Sequence, residues 1–391
     1  MVYMSIFKYF KIYDNEDCPC GSGKSYGCCC KNRADIHIQP SKKPLNIQIM
    51  EQLKKSQFKC CLYPDHTRCV RHIKEAHALQ NNKIISQLSE EGHIYILNTQ
   101  KPPIIIPIEN EEPEILTLID KVGVNHATTA TCFCDIHDDE VFAPIEKGAP
   151  EFDVNNEEHK YIYAYKAFIF EYYKKLVEKK AFENNIKQKP SLLKRAEFIQ
   201  NYRSIMTTLQ EMDFVKAFFD KGIVNKDYSG LETCVIEMPE SINFATYACI
   251  AVDFDLKGKK IRHTKRGFIN RIFVTIFPEE TKSYIILSCL SEDIKIYKNF
   301  FQQLQTTNLD KVKYYFDLIL PLYTENNVLS PRLWEKWSEE QQCAYTFYAN
   351  RKGKQFLIFR QVVKFGMHNL RKKELGFEDG NRGKIDLFQK V

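Results

Sequence analysis

From Lys160 to Gly222 apolar residues recur every three or four positions, first in YIYAYKAFIFEYYKKLVEKKAFENNI and then, after a break at Pro190 and Ser191, in LLKRAEFIQNYRSIMTTLQEMDFVKAFFDKG. That period draws a stripe down an α-helix, so the spacing predicts two long helices packed as a hairpin, with the aromatic stripe as packing surface. Beyond Gly222 the period shortens. TCVIEMPE, ATYACIAVDFDLKG, GFINRIFVTIFPEE and KSYIILSCL carry strand-length apolar runs, with Asp255–Gly258 and Pro278–Lys282 as turns, which predicts an antiparallel sheet. Helical spacing returns in EDIKIYKNFFQQLQ and KVKYYFDLILPLYTEN. Ser330 and Pro331 then supply an N-cap and a first helical position for SPRLWEKWSEEQQCAYTFYAN. Earlier in the chain, NNKIISQLSEEGHIYIL reads as a helix with Ile84, Ile85 and Leu88 on one side, ended by Gly92 and feeding a strand from His93 to Leu97. TQKPPIIIPIENEEPEI is proline-broken and then acidic, a loop between pieces of one module or a small boundary. Tyr3 to Tyr13 reads as a short amphipathic strand or arm, and no fixed-period repeat occurs.

Composition supports folded structure throughout: 391 residues, 44% apolar and 13% aromatic, suffice for two or three domains with at least one sizeable core. No eighteen-residue apolar run and no secretory leader pattern is visible, which leads to the expectation of a cytoplasmic protein without a membrane span. The net charge of +6 is modest, but its distribution is uneven: residues 351–391 hold eleven Lys or Arg against four Asp or Glu. A second basic run, KGKKIRHTKRGFINR, spans Lys257 to Arg271. Both suit a polyanion and both equally suit a solvated face or turn. The nucleic-acid candidates are Lys259, Lys260, Arg262, Lys265, Arg266 and Arg271 in the one run and Arg371, Lys372 and Lys373 in the other.

Cysteine usage divides the molecule more sharply. Ten of the fourteen cysteines lie by Cys134, whereas Cys234, Cys249, Cys289 and Cys343 are dispersed and read as small core residues. Without a secretion signal, clustered thiols are better explained by metal than by disulfides. In DCPCGSGKSYGCCCK, Cys18 and Cys20 are followed after eight residues by Cys29 and Cys30, two close pairs that suit tetrahedral zinc, and the Gly21–Gly23 turn lets them meet. A stretch this short cannot bury a core, so the ion supplies the organising energy. GSGKS is not a phosphate-binding loop, because no apolar strand leads into it and its spacing is too short.

Residues 17–31 closely resemble the SEC-C motif, the small zinc module at the C-terminus of the SecA translocation ATPase and in many otherwise unrelated bacterial proteins. Cys18-Pro19-Cys20-Gly21-Ser22-Gly23-Lys24, Tyr26 and the Cys29-Cys30 pair carry the likeness, and Cys28 is extra relative to that pattern. The resemblance implies a module that docks proteins or ribosomal and nucleic-acid surfaces and is not itself catalytic, with Lys24 as a candidate contact.

A second set of ligand types is spread over CCLYPDHTRCVRHIKEAHALQNN and TCFCDIHDDEVFAPIE. Cys61, Cys69, His77, Cys134 and His137 are the candidates for a second zinc site, more than one tetrahedron needs. Here Cys61, Pro64, Cys69, Ala76-His77, Gln80 and Gly92-His93, with Phe133, Cys134, His137 and Asp138, resemble a region found in many bacterial proteins, some of them bearing the SEC-C motif. That resemblance implies a shared metal site and names no activity. An alternative places His77, Asn81, His93 and Asp138 in a metal-dependent nuclease or phosphodiesterase with Mg or Mn, a reading that extends to phage defence, although order and spacing depart from the His-Asn-His nuclease pattern. Asp253 and Asp255 share a strand face and, with Glu237, would hold magnesium or simply line a solvated sheet.

The expected architecture is α+β: a cysteine-rich module at 1–35, a Cys/His zinc domain at 49–150 after a proline-containing connector, a helical hairpin at 158–222, and at 230–391 a mainly antiparallel sheet with flanking helices and a basic end. The expected function is a bacterial protein with two zinc ions that recognises DNA, RNA or a nucleoprotein. The nuclease above and a zinc-dependent adaptor that binds protein through residues 17–31 are the alternatives.

Overall fold

The computed structural model describes residues 10–37, 41–108, 113–148, 150–265, 267–350 and 385–391, and of Lys265 the backbone only. Most of the expected N-terminal arm, Arg266, and Arg371, Lys372 and Lys373 of the basic end lie outside the described residues. The chain is α+β, with Cys/His clusters, helical segments and antiparallel sheets flanked by helices. It divides into two compact units, one comprising Met1–Lys59 and Glu171–Phe218, the other Cys60–Phe170 and Phe219–Val391.

In chain order come α1 (Leu45–Ser56), β1 (Ile73–His77), a π-helical turn (Asn81–Ile85), β2 (His93–Leu97), β3 (Ile104–Ile106), β4 (Glu114–Leu116), β5 (Ile119–Gly123), β6 (Thr129–Cys134), α2 (Asp135–Val141), α3 (Glu157–Gln188) and α4 (Ala196–Asn225). They are followed by β7 (Leu231–Met238), β8 (Phe244–Ile250), β9 (Thr264–Lys265), β10 (Phe268–Ile269), β11 (Ile272–Pro278), β12 (Ser283–Leu290), α5 (Ile294–Thr306), α6 (Leu309–Tyr323), β13 (Val328–Leu329), α7 (Pro331–Lys336) and α8 (Glu339–Ala349).

The stretch expected to be a loop, residues 99–115, instead carries β3 and the start of its antiparallel partner β4, and two further elements differ from their expected form for local reasons. The turn at Asn81 is π-helical because the Ile85 amide reaches back to the Gln80 carbonyl, and the wider turn lets Ile84, Ile85 and Leu88 all be buried. The segment after Ser330 is two helices: Ser330 caps the first, with Pro331 at its first position, and Ser338 opens the second through a capping box with Gln341.

The larger unit is built on a seven-stranded sheet in the order β5-β2-β13-β8-β11-β12-β7, antiparallel at every pairing. Every residue of β11 and β12 is buried, because both faces are covered. Ile272, Val274 and Ile276 alternate with Phe273 and Phe277. The first three join a core with Tyr297 and Phe300 of α5 and Tyr315 and Phe316 of α6. On the other face Phe273 meets Phe168 and Phe219, and Phe277 stacks on Tyr163 at 4.9 Å. Residues 161–170 of α3 are accordingly buried around the whole helix, not along one stripe. Lys166 is tolerated there by pairing with Glu146 and lying 4.5 Å over the Phe142 ring.

The smaller unit has its own core, in which Ile12, Cys18, Cys20 and Cys30 pack with Ile186 of α3 and Ile199 and Tyr202 of α4. Arg33 donates to the Ile186 and Lys187 carbonyls at the end of α3, and Asp35 accepts from the Ser191 amide at 2.9 Å. The cysteine-rich loop is thus fastened to helix ends whose carbonyls and amides have no intrahelical partner.

Candidate metal centres and a basic ribbon

The first set of ligands is folded by backbone hydrogen bonds within a few residues. The Cys18 amide donates to the Lys24 carbonyl at 2.8 Å and the Gly21 amide to the Cys18 carbonyl at 3.0 Å. Gly21 has φ +71°, a conformation that favours glycine, and a Cβ there would lie 2.6 Å from the Glu183 carboxyl carbon, so that side chain would have to swing away. The Tyr26 carbonyl then accepts from the Cys29 and Lys31 amides, curling the second cysteine pair back over the first. The sulfurs of Cys18, Cys20, Cys29 and Cys30 all lie within 4.8 Å of one another. Cys20 and Cys29 are 3.6 Å apart, and Ser22 Oγ is 3.2 Å from the Cys29 sulfur. Cys28 points out to solvent and is not one of the four.

The electrostatics of this set follow from crowding. Burial opposes charge on Cys20, yet hydrogen bonds from Ser22 and from the thiols of Cys18, Cys29 and Cys30 bring its pKa down to about 7. Burial, together with its bonds to Cys18 and Cys20, pushes the Cys30 thiol far up. The protons therefore concentrate negative charge on one sulfur, whereas a soft divalent ion stabilises all four thiolates together.

The second set depends on strand pairing across a long stretch of chain. β1 and β6 are antiparallel with Ile73 opposite Cys134, so the loop before β1 lies against the start of α2. Cys61 and Cys69 come from that loop, Cys134 from the end of β6 and His137 from the first turn of α2, with all four ligand atoms within 4.8 Å of one another. His137 Nδ1 is 3.3 Å from the Cys134 sulfur, 3.4 Å from Cys61 and 3.5 Å from Cys69. Its ring stacks on Tyr63 at 4.0 Å, and burial holds the imidazole below its ordinary pKa, in the neutral form a metal ligand needs. Burial raises the Cys134 pKa, but amide hydrogen bonds from His137 and Val70 lead the terms that bring it below the ordinary thiol value.

His77, expected among these ligands, is placed elsewhere. It ends β1, and its Nδ1 donates to the Ala127 carbonyl at 2.9 Å, which fixes the ring away from the sulfurs. The nuclease candidates do not gather either. Asn81 bonds Asn125, His93 is exposed with Nδ1 2.8 Å from the Glu91 carbonyl, and Asp138 pairs with Lys74 at 2.8 Å. Among the described residues, only the two sets above bring three or more Cys, His, Asp or Glu ligands within reach of one ion. Each offers four protein donors, dominated by sulfur and free of carboxylate, and each fits zinc held in a closed structural site. Sequence spacing did not reveal Tyr63 or Ser22, whose contacts with the ligands are visible only in the fold.

The second basic run forms a ribbon between β8 and β11. The Ile261 amide donates to the Asp253 carbonyl and the Asp255 amide to the Lys259 carbonyl, closing one hairpin. β9 and β10 close a second, with Phe268 opposite Lys265 and Ile269 opposite Thr264, around Gly267 at φ +85°. Asp253 and Asp255 are buried, and neither meets Glu237, which lies beside Lys282. Asp253 accepts from Tyr323 at 2.7 Å and lies 3.1 Å from His263 Nε2. Asp255 accepts from Gln303 and from the Lys257 and Lys259 amides. Lys257, Lys259, Lys260 and Arg262 are exposed and form no ion pair with a described residue. Arg271 is half-buried and donates to the Ile269 carbonyl, and Lys24 is exposed.

No helix among the described residues is long and apolar enough to cross a membrane. No family model, curated protein or solved structure matches the chain, so the likeness of residues 17–31 to the SEC-C motif rests on those residues themselves.

Proposed function

We propose that this protein is a zinc-stabilised nucleic-acid-binding protein in which both metal ions are structural and the ribbon at Lys257–Arg271 contacts phosphate. The observation that carries the reading is the charge arrangement of the ribbon. Its two acids are turned inward and hydrogen-bonded, while Lys257, Lys259, Lys260 and Arg262 are exposed and form no ion pair among the described residues. Some exposed lysines elsewhere lie beside a carboxylate, as Lys31 does at Asp14 and Lys121 at Glu335; the ribbon is distinguished by four exposed cations within six residues beside two buried acids. Exposed cations on a narrow ribbon suit a polyanion approached for its phosphates, not for its base edges. Cys18, Cys20, Cys29 and Cys30, and Cys61, Cys69, Cys134 and His137, would hold the zinc ions, which stabilise the surrounding loops.

Retention of labelled DNA and RNA by the full chain tests the reading. Four phosphate contacts imply that affinity falls about 50- to 150-fold between about 50 and 200 mM salt. Combined Lys259→Glu, Lys260→Glu and Arg262→Glu substitution should abolish retention without loss of zinc. Retention that is absent at low salt, or indifferent to these three substitutions, refutes it. Cleavage that needs added magnesium and disappears in His77→Ala would instead restore the hydrolase.

A further inference from the structure

We infer that the ribbon prefers single-stranded nucleic acid to duplex, with its tip inserted between unstacked bases; this rests on the nucleic-acid reading above. Just past the turn, β10 exposes two apolar side chains in succession. Phe268 is 46% exposed and Ile269 37%, and neighbouring positions on a strand point to opposite sides. Across the turn the backbone pairs Phe268 with Lys265 and Ile269 with Thr264. Among the described residues Phe268 has no aromatic neighbour, although most phenylalanines of this unit are packed into ring clusters.

The cations are arranged to accompany such an insertion. Lys260 and Arg262 are exposed on either side of the buried Ile261, two positions apart and so separated by at most roughly 7 Å along the backbone. Successive phosphates of an extended strand can pass along that row while bases turn toward the tip. An aromatic face stacks on any base, so the interaction tolerates sequence. In a duplex the same wedge must first unstack a base step, a cost that a single strand has already avoided.

Fluorescence anisotropy distinguishes the two, with the full chain, a labelled mixed-sequence DNA strand of about sixteen nucleotides and the blunt duplex of the same sequence at equal ionic strength. The single strand should bind more tightly. Phe268→Ala should weaken it by roughly 5- to 150-fold, with little change for the duplex, and Phe268→Tyr should retain the wild-type value. Because nearly half of Phe268 is exposed and it packs in no aromatic cluster among the described residues, these variants should keep the wild-type circular dichroism spectrum. Equal affinity for the two probes, or a preference that Phe268→Ala leaves unmoved, overturns the inference while salt-sensitive retention through the lysines still stands. Failure to bind either probe removes the nucleic-acid reading and this inference with it.

Discussion

Cys28 and Cys29 are adjacent in the chain, yet serine substitution should separate them completely. Cys29 lies 3.6 Å from Cys20 and 3.9 Å from Cys30, inside the four-sulfur set, whereas Cys28 faces solvent outside it. Zinc binding to a four-ligand structural site is worth about 10–16 kcal/mol at neutral pH. Divided evenly, each ligand supplies roughly 2.5–4 kcal/mol, so Cys29→Ser should weaken metal binding by about two to three orders of magnitude. Cys28→Ser should leave it unchanged. The loss should also loosen the smaller unit, because Cys18, Cys20 and Cys30 share their core with Ile12, Ile186 and Ile199. Zinc per chain, measured on protein purified without chelator and then titrated with a chromogenic chelator, reads the effect directly. Wild type and Cys28→Ser should hold two equivalents, and Cys29→Ser should retain one. Metal lost from Cys28→Ser but kept by Cys29→Ser would refute the ligand set and the loop geometry that produces it.

Three further outcomes follow from particular contacts. His77→Ala should keep both zinc equivalents, because the side chain is bonded to the Ala127 carbonyl, while His137→Ala should lose one by the same assay. Gly222→Ala gains about 1 kcal/mol of helix propensity, but its Cβ would lie 2.6 Å from the Tyr161 ring and 2.7 Å from the Asp227 carbonyl oxygen. Overpacking of about 1–3 kcal/mol, with disturbance of the Tyr161–Phe219 hydrogen bond worth about 1 kcal/mol, should win and lower the urea midpoint. Burial, with Asp386 second, holds the Asp317 carboxyl well above the ordinary carboxylate value of 3.8, against the hydrogen bond from the Leu387 amide. That group's contribution is full below the unfolded pKa and is lost as pH rises through the folded one. Denaturation curves at increasing pH should therefore show Asp317→Asn declining less steeply than wild type; parallel curves would contradict this.

The parts legible in the sequence are those whose information is local. The cysteines of the first set stand in two pairs beside a glycine turn, and the hydrogen bonds that gather them span only a few residues. The alternation in β11 and β12, and the Ser330–Pro331 helix start, are likewise short-range signals. The second set was readable only as a surplus of ligand types. Which histidine joins it depends on the register that places Ile73 opposite Cys134, and no spacing rule distinguishes His77 from His137 without that register. Strand β13 is two residues between helices, and it enters the sheet through pairings with β2 and β8 from distant parts of the chain. The inward turn of Asp253 and Asp255 was equally hidden, since alternation assigns both to one face without saying which face is covered.

The two ligand sets also differ in when they can be completed. Eight residues separate Cys20 from Cys29, and sixty-four separate Cys69 from Cys134, three doublings of loop length that add about 2 kcal/mol to closure. On a ribosome, the first set can load as soon as its own short stretch has emerged, but its apolar cover from Ile186 to Tyr202 arrives much later. The second must wait for His137 and for β6 to find β1. Vectorial synthesis thus leaves a knot that can take metal before it is covered, and makes zinc supply a determinant of how this stretch of the nascent chain folds.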